Sequence, residues 1–286
     1  MRGAPSGPTG RALDVMELLG REPTARLRYV DIVQALGLNQ GTAHSILKTL
    51  SDRGWVARDP VDKTFALGPA LAALAKKADK ARPLVSAARL VARDLAEELG
   101  FATSVIELVG NELLVLDFYR TEKSVPAPPP GLKVPYAPPY GTAFAAVATA
   151  EERKAWLARR ATPSKAVGKA LERALELSRE RGYDVDWTTP AVAQLTTLVG
   201  SMDELHPTLL AAMDQILLEY TAPSFEESGA NRPVTSITAP VLGIGGHARL
   251  GIAIHPISRI PARRIQACGR RLAEVTGKIG TPAASG

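Results

Sequence analysis

Apolar residues recur at helical spacing in three short segments near the start of the chain. The first predicted helix covers residues 11–21, and the second covers 29–36 and ends before Gly37, in the position after a helix that glycine favours. Asn39 has a side chain suited to cap a third helix, which ends at Gly54. The pattern then changes to two short β-rich segments, residues 55–58 and 64–67, which predict a hairpin.

Three short helices followed by a hairpin are the element order of a winged helix-turn-helix. In such a module the third helix enters the major groove of DNA, and its N-terminal residues face the bases. We therefore predict a winged helix-turn-helix over residues 11–68. The Gly-, Pro- and Ser-rich residues 1–10 predict a disordered tail, and the Ala- and Lys-rich residues 69–82 predict a helical linker.

The rest of the chain, residues 83–280, predicts a mixed α/β domain with antiparallel hairpins. Inside it, the segment of about residues 188–233 contains an amphipathic helix predicted over 203–220, which either covers a pocket, forms a subunit contact or only packs. The other helices are predicted over 83–99, 165–181 and from 261 to about 278, and the strands over 103–109, 112–118, 183–187, 234–242 and 248–255.

The basic excess of the chain lies almost entirely in its first part. Residues 1–82 contain 13 Lys and Arg against 8 Asp and Glu, whereas residues 84–286 contain 22 against 21. A small basic domain joined to a nearly neutral larger one favours contact of the first part with a polyanion. A chance distribution of five charges is the alternative.

The composition excludes several other classes of protein. The chain of 286 residues has no apolar run of the roughly 20 residues that span a bilayer, and its N-terminus lacks the apolar core of a signal peptide. Its single cysteine, Cys268, excludes an internal disulfide and a cysteine-based zinc site, and it is typical of a reducing cytoplasm. Nearby arginines suggest a lowered pKa for Cys268; an inert helix residue is the alternative.

Enzyme motifs are also missing from the sequence. The glycine-rich residues 243–246 lie between two predicted strands rather than before a helix, which favours a hairpin turn over a dinucleotide site. The four histidines are scattered and show no metal-ligand spacing. We therefore predict no catalytic residue, no metal and no cofactor.

Several segments, in order along nearly the whole chain, resemble the IclR family of transcription regulators. The similar segments in the first part are residues 11–19, 32–38, 42–44, 47–50, 53–59 and 65–68, and those in the second part are 135–143, 179–186 and 238–241.

This resemblance implies an α/β (α+β) protein with a winged helix-turn-helix, a helical linker and a GAF-like effector-binding domain. It also implies a homodimer or homotetramer that binds a double-stranded DNA operator and responds to a small-molecule effector, such as an organic acid or an aromatic metabolite.

The chain departs from the family at the third helix. There the family usually has Pro-Lys-Ser-Thr and an Arg after the His, whereas this chain has Asn39-Gln40-Gly41-Thr42 and Ser45. The loss of a Lys and an Arg predicts weaker or differently specific DNA binding, because phosphate contacts supply most of the non-specific affinity. The alternative function is therefore a diverged module that binds a metabolite or a protein and binds DNA weakly.

The candidate DNA-binding residues lie on the winged module. Amide side chains can pair with adenine in a bidentate manner, hydroxyls can contact phosphate or a thymine methyl group, and basic groups can contact phosphates. A solvated polar face is the alternative. The candidates are Arg28, Asn39, Gln40, Thr42, His44, Ser45, Lys48, Arg53 and Lys63.

The candidate effector-binding residues come from four segments of the second domain. Backbone amides at a helix N-terminus near Gly141 would suit a carboxylate. His255 would supply positive charge to an acidic ligand near neutral pH, or else it is a packed or solvated strand-end residue. The candidates are Tyr136, Tyr140, Gly141, Thr142, Asp184, Asp186, Thr235, Ser236 and His255.

Overall fold

The computed structural model describes residues 7–21, 26–121, 131–160, 164–187, 218, 233–243 and 245–280. The chain divides into two compact units, Met1–Pro83 and Leu84–Gly286. Within the described residues, no helix has both the length and the apolar character needed to cross a membrane. Most of the predicted helical insertion at 188–233 lies outside the described residues.

The first unit is a winged helix-turn-helix, as the element order predicts. Gly37 ends the second helix in the left-handed region at a φ of 59°, which starts the tight turn into the third helix. A small antiparallel sheet of order β1-β3-β2 forms the wing. The elements are α1 (Gly7–Gly20), β1 (Leu27–Arg28), α2 (Tyr29–Leu36), α3 (Gln40–Asp52), β2 (Val56–Arg58), β3 (Thr64–Leu67) and α4 (Pro69–Lys80).

Two details of this unit differ from the sequence prediction. Helix α1 begins at Gly7, so a disordered tail over residues 7–10 is wrong; residues 1–6 lie outside the described residues. Pro8 is compatible with this start, because the first turn of a helix needs no N–H donors. The two-residue strand β1 was not predicted, since two residues carry no detectable period.

The first unit has its own apolar core. Ile32 of α2 and Leu47 of α3 are almost fully buried, which fixes the opposite face of α3 toward solvent. The remaining members of the core come from α1 and the wing: Val15, Leu19, Val56 and Phe65.

The second unit is built on one antiparallel sheet of six strands, in the order β6-β5-β4-β9-β8-β7. Strand β6 lies outside the strands predicted from the sequence. The elements are α5 (Pro83–Leu99), β4 (Ala102–Val109), β5 (Glu112–Tyr119), β6 (Lys133–Pro135), α6 (Thr142–Ala146), α7 (Ala150–Ala158), α8 (Lys165–Arg181), β7 (Asp184–Asp186), β8 (Ser236–Leu242), β9 (Ala248–His255) and α9 (Ala262–Gly280).

The two faces of this sheet have different surroundings. Ile252 and Ile254 of β9 point toward α5 and α9, where they join the larger apolar core. The alternate residues Gly251, Ala253 and His255 therefore point to the opposite face. Phe144 of α6 packs on that face, because a Cβ built on Gly251 would lie 2.8 Å from its ring. We call this side of the sheet, on which α6 packs, the α6 face; it is the face that carries polar side chains.

Candidate functional site

The exposed face of α3 carries four of the predicted DNA-binding residues. Gln40, His44 and Lys48 follow one another at intervals of four and are exposed, and Ser45 lies beside them. Ala43 and Leu47 hold the opposite face against the core. The fold therefore presents a continuous polar row to solvent, as a helix that enters the major groove requires.

The side chain of Asn39 caps α3. Its Oδ1 accepts a hydrogen bond from the backbone N–H of Thr42 at 2.8 Å, which satisfies one of the free donors of the first helical turn. One lone pair of the Asn39 oxygen is thereby engaged in the cap. Bidentate pairing with adenine needs both a donor and an acceptor, so the cap makes Asn39 less suited to that kind of pairing.

Gln40 keeps both halves of its amide available. Its side chain makes no hydrogen bond within the part of the chain that the structure describes. It occupies the first position of α3, where side chains of a recognition helix approach base edges. Gln40 is therefore the residue of this helix best suited to recognise adenine.

The basic candidates differ in whether their charged groups already have a partner within the protein. Lys48 forms an exposed ion pair with Asp52 at 2.7 Å, and the ammonium of Lys63 donates to the carbonyl of Pro60 within the wing turn. Exposed ion pairs of this kind contribute at most about 1 kcal/mol, so a phosphate can displace them. Arg28 and Arg53 are exposed as well.

The wing turn is organised around Asp59. Backbone N–H groups of Asp62 and Val61 donate to its Oδ1 at 3.0 and 2.8 Å, and Arg26 forms an ion pair with its Oδ2 at 2.8 Å. These backbone hydrogen bonds, with the ion pair, hold the pKa of the Asp59 carboxyl below its ordinary value. Lys63 thus projects from a defined turn.

In the second unit, three of the effector candidates, Tyr136, Tyr140 and Gly141, lie in the loop before α6, and a fourth, Thr142, begins that helix. The ring of Tyr136 lies 6.4 Å from that of Trp156 and 5.6 Å from the guanidinium carbon of Arg159. Burial raises the pKa of Tyr136 to about 12. Gly141 has a φ of 82°, and Trp156 donates its indole N–H to the carbonyl of Tyr140. Most of these groups hold the loop in place.

A carboxylate site at the start of α6 is weakly supported by this geometry. The helix has only five residues, so few peptide dipoles add up there. The hydroxyl of Thr142 donates to the carbonyl of Pro139 at 3.1 Å, within the loop itself.

Four of the other candidates, Asp184, Asp186, Ser236 and His255, come together on the α6 face of the sheet. Asp184 pairs with Thr238 and Asp186 with Ser236 between β7 and β8. Strand β9, which pairs with β8, continues this row of side chains to His255. Because side chains alternate along strands, these positions share one face. Thr235 precedes β8, and its backbone N–H donates to the carbonyl of Asp186 at 2.8 Å.

His255 contacts three uncharged groups of the described residues. Its Nε2 lies 2.9 Å from the Ser104 hydroxyl, its ring centroid is 5.3 Å from that of Phe118, and it bonds to the backbone of Thr235. Burial lowers the pKa of His255 to about 4. A lowered pKa favours the neutral imidazole at pH 7, which argues against the prediction that His255 supplies positive charge to an acidic ligand.

Three members of this face were not predicted from the sequence: Ser104, Phe118 and Thr238. Ser104 is almost fully buried and pairs with Ala253, the position two residues before His255. Alternation along each predicted strand assigns its residues to two faces. Only the strand pairing shows that the faces with Ser104, Phe118 and Thr238 coincide with that of His255. The polar face therefore combines hydroxyls, a neutral imidazole, an aromatic ring and two carboxylates at the β7 edge.

Two other expectations concern reactivity and metals. Cys268 lies on the buried face of α9, and this burial raises the pKa of its thiol rather than lowering it. Among the described residues, no group of His, Cys, Asp and Glu side chains has the arrangement of a metal site.

Comparison with known proteins places the chain in a family. The IclR helix-turn-helix domain matches residues 9–60. The chain is 31% identical over 182 residues to the glycerol operon regulatory protein of Streptomyces griseus, covering 61% of this chain and 71% of the relative.

Two solved structures are similar over most of their length. An IclR transcriptional regulator from Alicyclobacillus acidocaldarius has a TM-score of 0.67 at 18% identity and covers 97% of this chain and 98% of its own. An IclR homologue from Microbacterium hydrocarbonoxydans complexed with 4-hydroxybenzoate has a TM-score of 0.65 at 18% identity, with 96% and 98% covered.

The fold and the sequence similarity define a DNA-binding transcriptional regulator. The chain belongs to the IclR family.

Proposed function

We propose that α3 reads the operator and that Gln40 supplies the main base contact. The observation that carries this is the free amide of Gln40 at the start of an exposed polar helix face. Asn39 would donate to a base acceptor or a phosphate. His44, Ser45 and Thr42 would contact the flanking backbone or bases, and Arg28, Lys48, Arg53 and Lys63 would contact phosphates.

Gln40→Ala is expected to lower the affinity for the operator about 10- to 100-fold and to leave the affinity for a scrambled duplex unchanged. The reason is that a bidentate pair contributes about 1–3 kcal/mol of base discrimination. Lys48→Ala should weaken both duplexes alike, because a phosphate contact carries no sequence information. Fluorescence anisotropy with duplexes upstream of the protein's own coding region measures both.

Lys48→Ala is the matched control, since Lys48 lies two turns further along the same exposed face. If Gln40→Ala weakened specific and scrambled DNA by the same factor, Gln40 would be a phosphate contact or a structural residue, and this proposal would be wrong.

We further propose that the effector binds the polar α6 face of the sheet and is an uncharged or aromatic molecule. The hydroxyls of Ser104, Ser236 and Thr238 offer hydrogen bonds, and Phe118 offers a ring face. The neutral His255 gives a carboxylate no charge partner at pH 7. Such a ligand must bind one state of the regulator better than the other to alter DNA binding.

An uncharged polyol or a phenol should release the bound duplex more effectively than its carboxylate analogue of the same size. Compounds can be screened by loss of anisotropy of the labelled duplex. Ser104→Ala should reduce the effect of an active compound about fivefold or more, since one buried hydrogen bond contributes about 1 kcal/mol. If only carboxylates released the duplex, and if Ser104→Ala did not alter that release, the effector would bind elsewhere.

We propose a homodimer or homotetramer. Helix α4 has no buried residue in the single chain, so its apolar residues are available to a second copy. Two copies of the winged unit would then read two half-sites of one operator.

A further inference from the structure

Tyr29, the first residue of α2, forms a hydrogen bond across to the recognition helix. Its hydroxyl donates to the backbone carbonyl of Gln40 at 2.5 Å, across 11 positions of the sequence. Gln40 is the first residue of α3. The bond therefore joins the start of one helix directly to the start of the other.

The ring of Tyr29 is anchored while its hydroxyl is engaged. Tyr29 is partly buried and packs against the core of the first unit, which includes Ile32 and Leu47. A ring held on one side by the core and on the other by a hydrogen bond has little rotational freedom left. The bond therefore fixes where the Gln40 carbonyl lies relative to the core.

Three further hydrogen bonds lie at the same end of α3. In the turn, the backbone N–H of Gly37 donates to Gln34 and that of Leu38 donates to Val33, at 3.4 and 3.1 Å. Asn39 caps the helix through Thr42. These contacts shape the turn and cap the helix, but among the described residues only the Tyr29 bond ties the backbone of Gln40 itself to α2.

We propose that Tyr29 is a positioning residue for base recognition and that it acts through Gln40. This proposal rests on the proposed reading of adenine by Gln40. A bidentate pair requires both of its hydrogen bonds at good length and angle, so a small displacement of the first helical turn weakens both. The hydroxyl of Tyr29 restricts that displacement before DNA arrives, which lowers the cost of ordering on binding.

Tyr29→Phe removes the hydroxyl and keeps the ring in the core. We expect the ratio of affinities for operator and scrambled duplex to fall about fivefold, the equivalent of one hydrogen bond. Affinity for the scrambled duplex and the slope of binding against salt should stay as in the wild type, because the phosphate contacts are unchanged. Operator duplexes are first selected from a randomised pool with the wild-type protein, and anisotropy then gives both affinities.

A double-mutant cycle shows whether Tyr29 acts through Gln40. In the Gln40→Ala background, Tyr29→Phe should cost no further specificity, so the two effects should be strongly non-additive. Thr49→Val is the matched control, because the Thr49 hydroxyl also donates to a backbone carbonyl of α3, that of Ser45, at 2.8 Å. It should leave the specificity ratio unchanged.

Three results would overturn the proposal. The first is an unchanged ratio in Tyr29→Phe, and the second is an equal loss on both duplexes, which indicates a purely structural residue. The third is full additivity with Gln40→Ala. A wild-type protein that selects operators whose recognition survives Gln40→Ala would instead refute the reading by Gln40, and the role of Tyr29 with it.

Discussion

Replacing Gly68 by alanine is expected to unfold the winged unit and to abolish DNA binding. A Cβ at this position would lie 2.2 Å from the carbonyl oxygen of Gly54 and 2.8 Å from the carbonyl carbon of Trp55, and both are backbone atoms that cannot rotate away. The backbone of Gly68 also donates to the carbonyl of Trp55 at 2.7 Å, which holds the two segments together. Overpacking of this severity costs more than about 3 kcal/mol.

Gly37→Ala is the matched control for Gly68→Ala. Gly37 has a positive φ of 59°, but a Cβ there meets no atom within 4 Å, so the cost should be about 1 kcal/mol of backbone strain. Urea unfolding followed by circular dichroism measures both variants, and anisotropy measures DNA binding. Equal midpoints for the two glycine variants would show that the segments of Gly54 and Gly68 are not in close contact.

The stability of the second unit is expected to fall between pH 6.5 and pH 4 because of His255. In the unfolded chain a histidine has a pKa of about 6.5, whereas burial lowers the pKa of His255 to about 4 in the folded state. The unfolded state therefore binds the proton more readily over this range. The contribution of the neutral His255 to the free energy of unfolding is complete above pH 6.5. It decreases as the pH falls, by about 2 kcal/mol at most between pH 6.5 and 5.

His255→Gln isolates this effect, since carboxylates titrate in both proteins. Urea midpoints at pH 7.5, 6 and 5 should decrease more steeply for the wild type than for the variant. His247, which is exposed in the turn between β8 and β9, is the matched control, and His247→Gln should keep the pH dependence of the wild type. Parallel curves for the wild type and His255→Gln would mean that His255 titrates normally in the folded protein.

The sequence predicted the first unit well because its signals are local. The helical period of Ile32 and Leu47, the turn at Gly37 and the cap at Asn39 all act within a few residues. What the sequence did not reveal is which polar groups are already engaged. The cap occupies the Oδ1 of Asn39, and the hydroxyl of Tyr29 reaches a residue on the next helix.

The polar face of the second unit was predicted only in part, because it depends on strand pairing. Ser104 and His255 lie 151 positions apart, and only the pairing of β4 with β9 brings them together. Composition gave no indication that His255 would be neutral, since its burial comes from that same pairing. The pairing of β4 with β5 in turn places Phe118 beside His255. Local periodicity predicts strands, but it does not specify their neighbours.

The most direct test of the account is to select duplexes from a randomised DNA pool with the wild type and with Gln40→Ala in parallel. We expect the wild type to enrich a motif of two half-sites about one helical turn or a multiple of it apart. We also expect an adenine preference in each half-site that Gln40→Ala loses while the rest of the motif remains. Identical motifs from the two proteins would contradict the claim that Gln40 of α3 reads the operator.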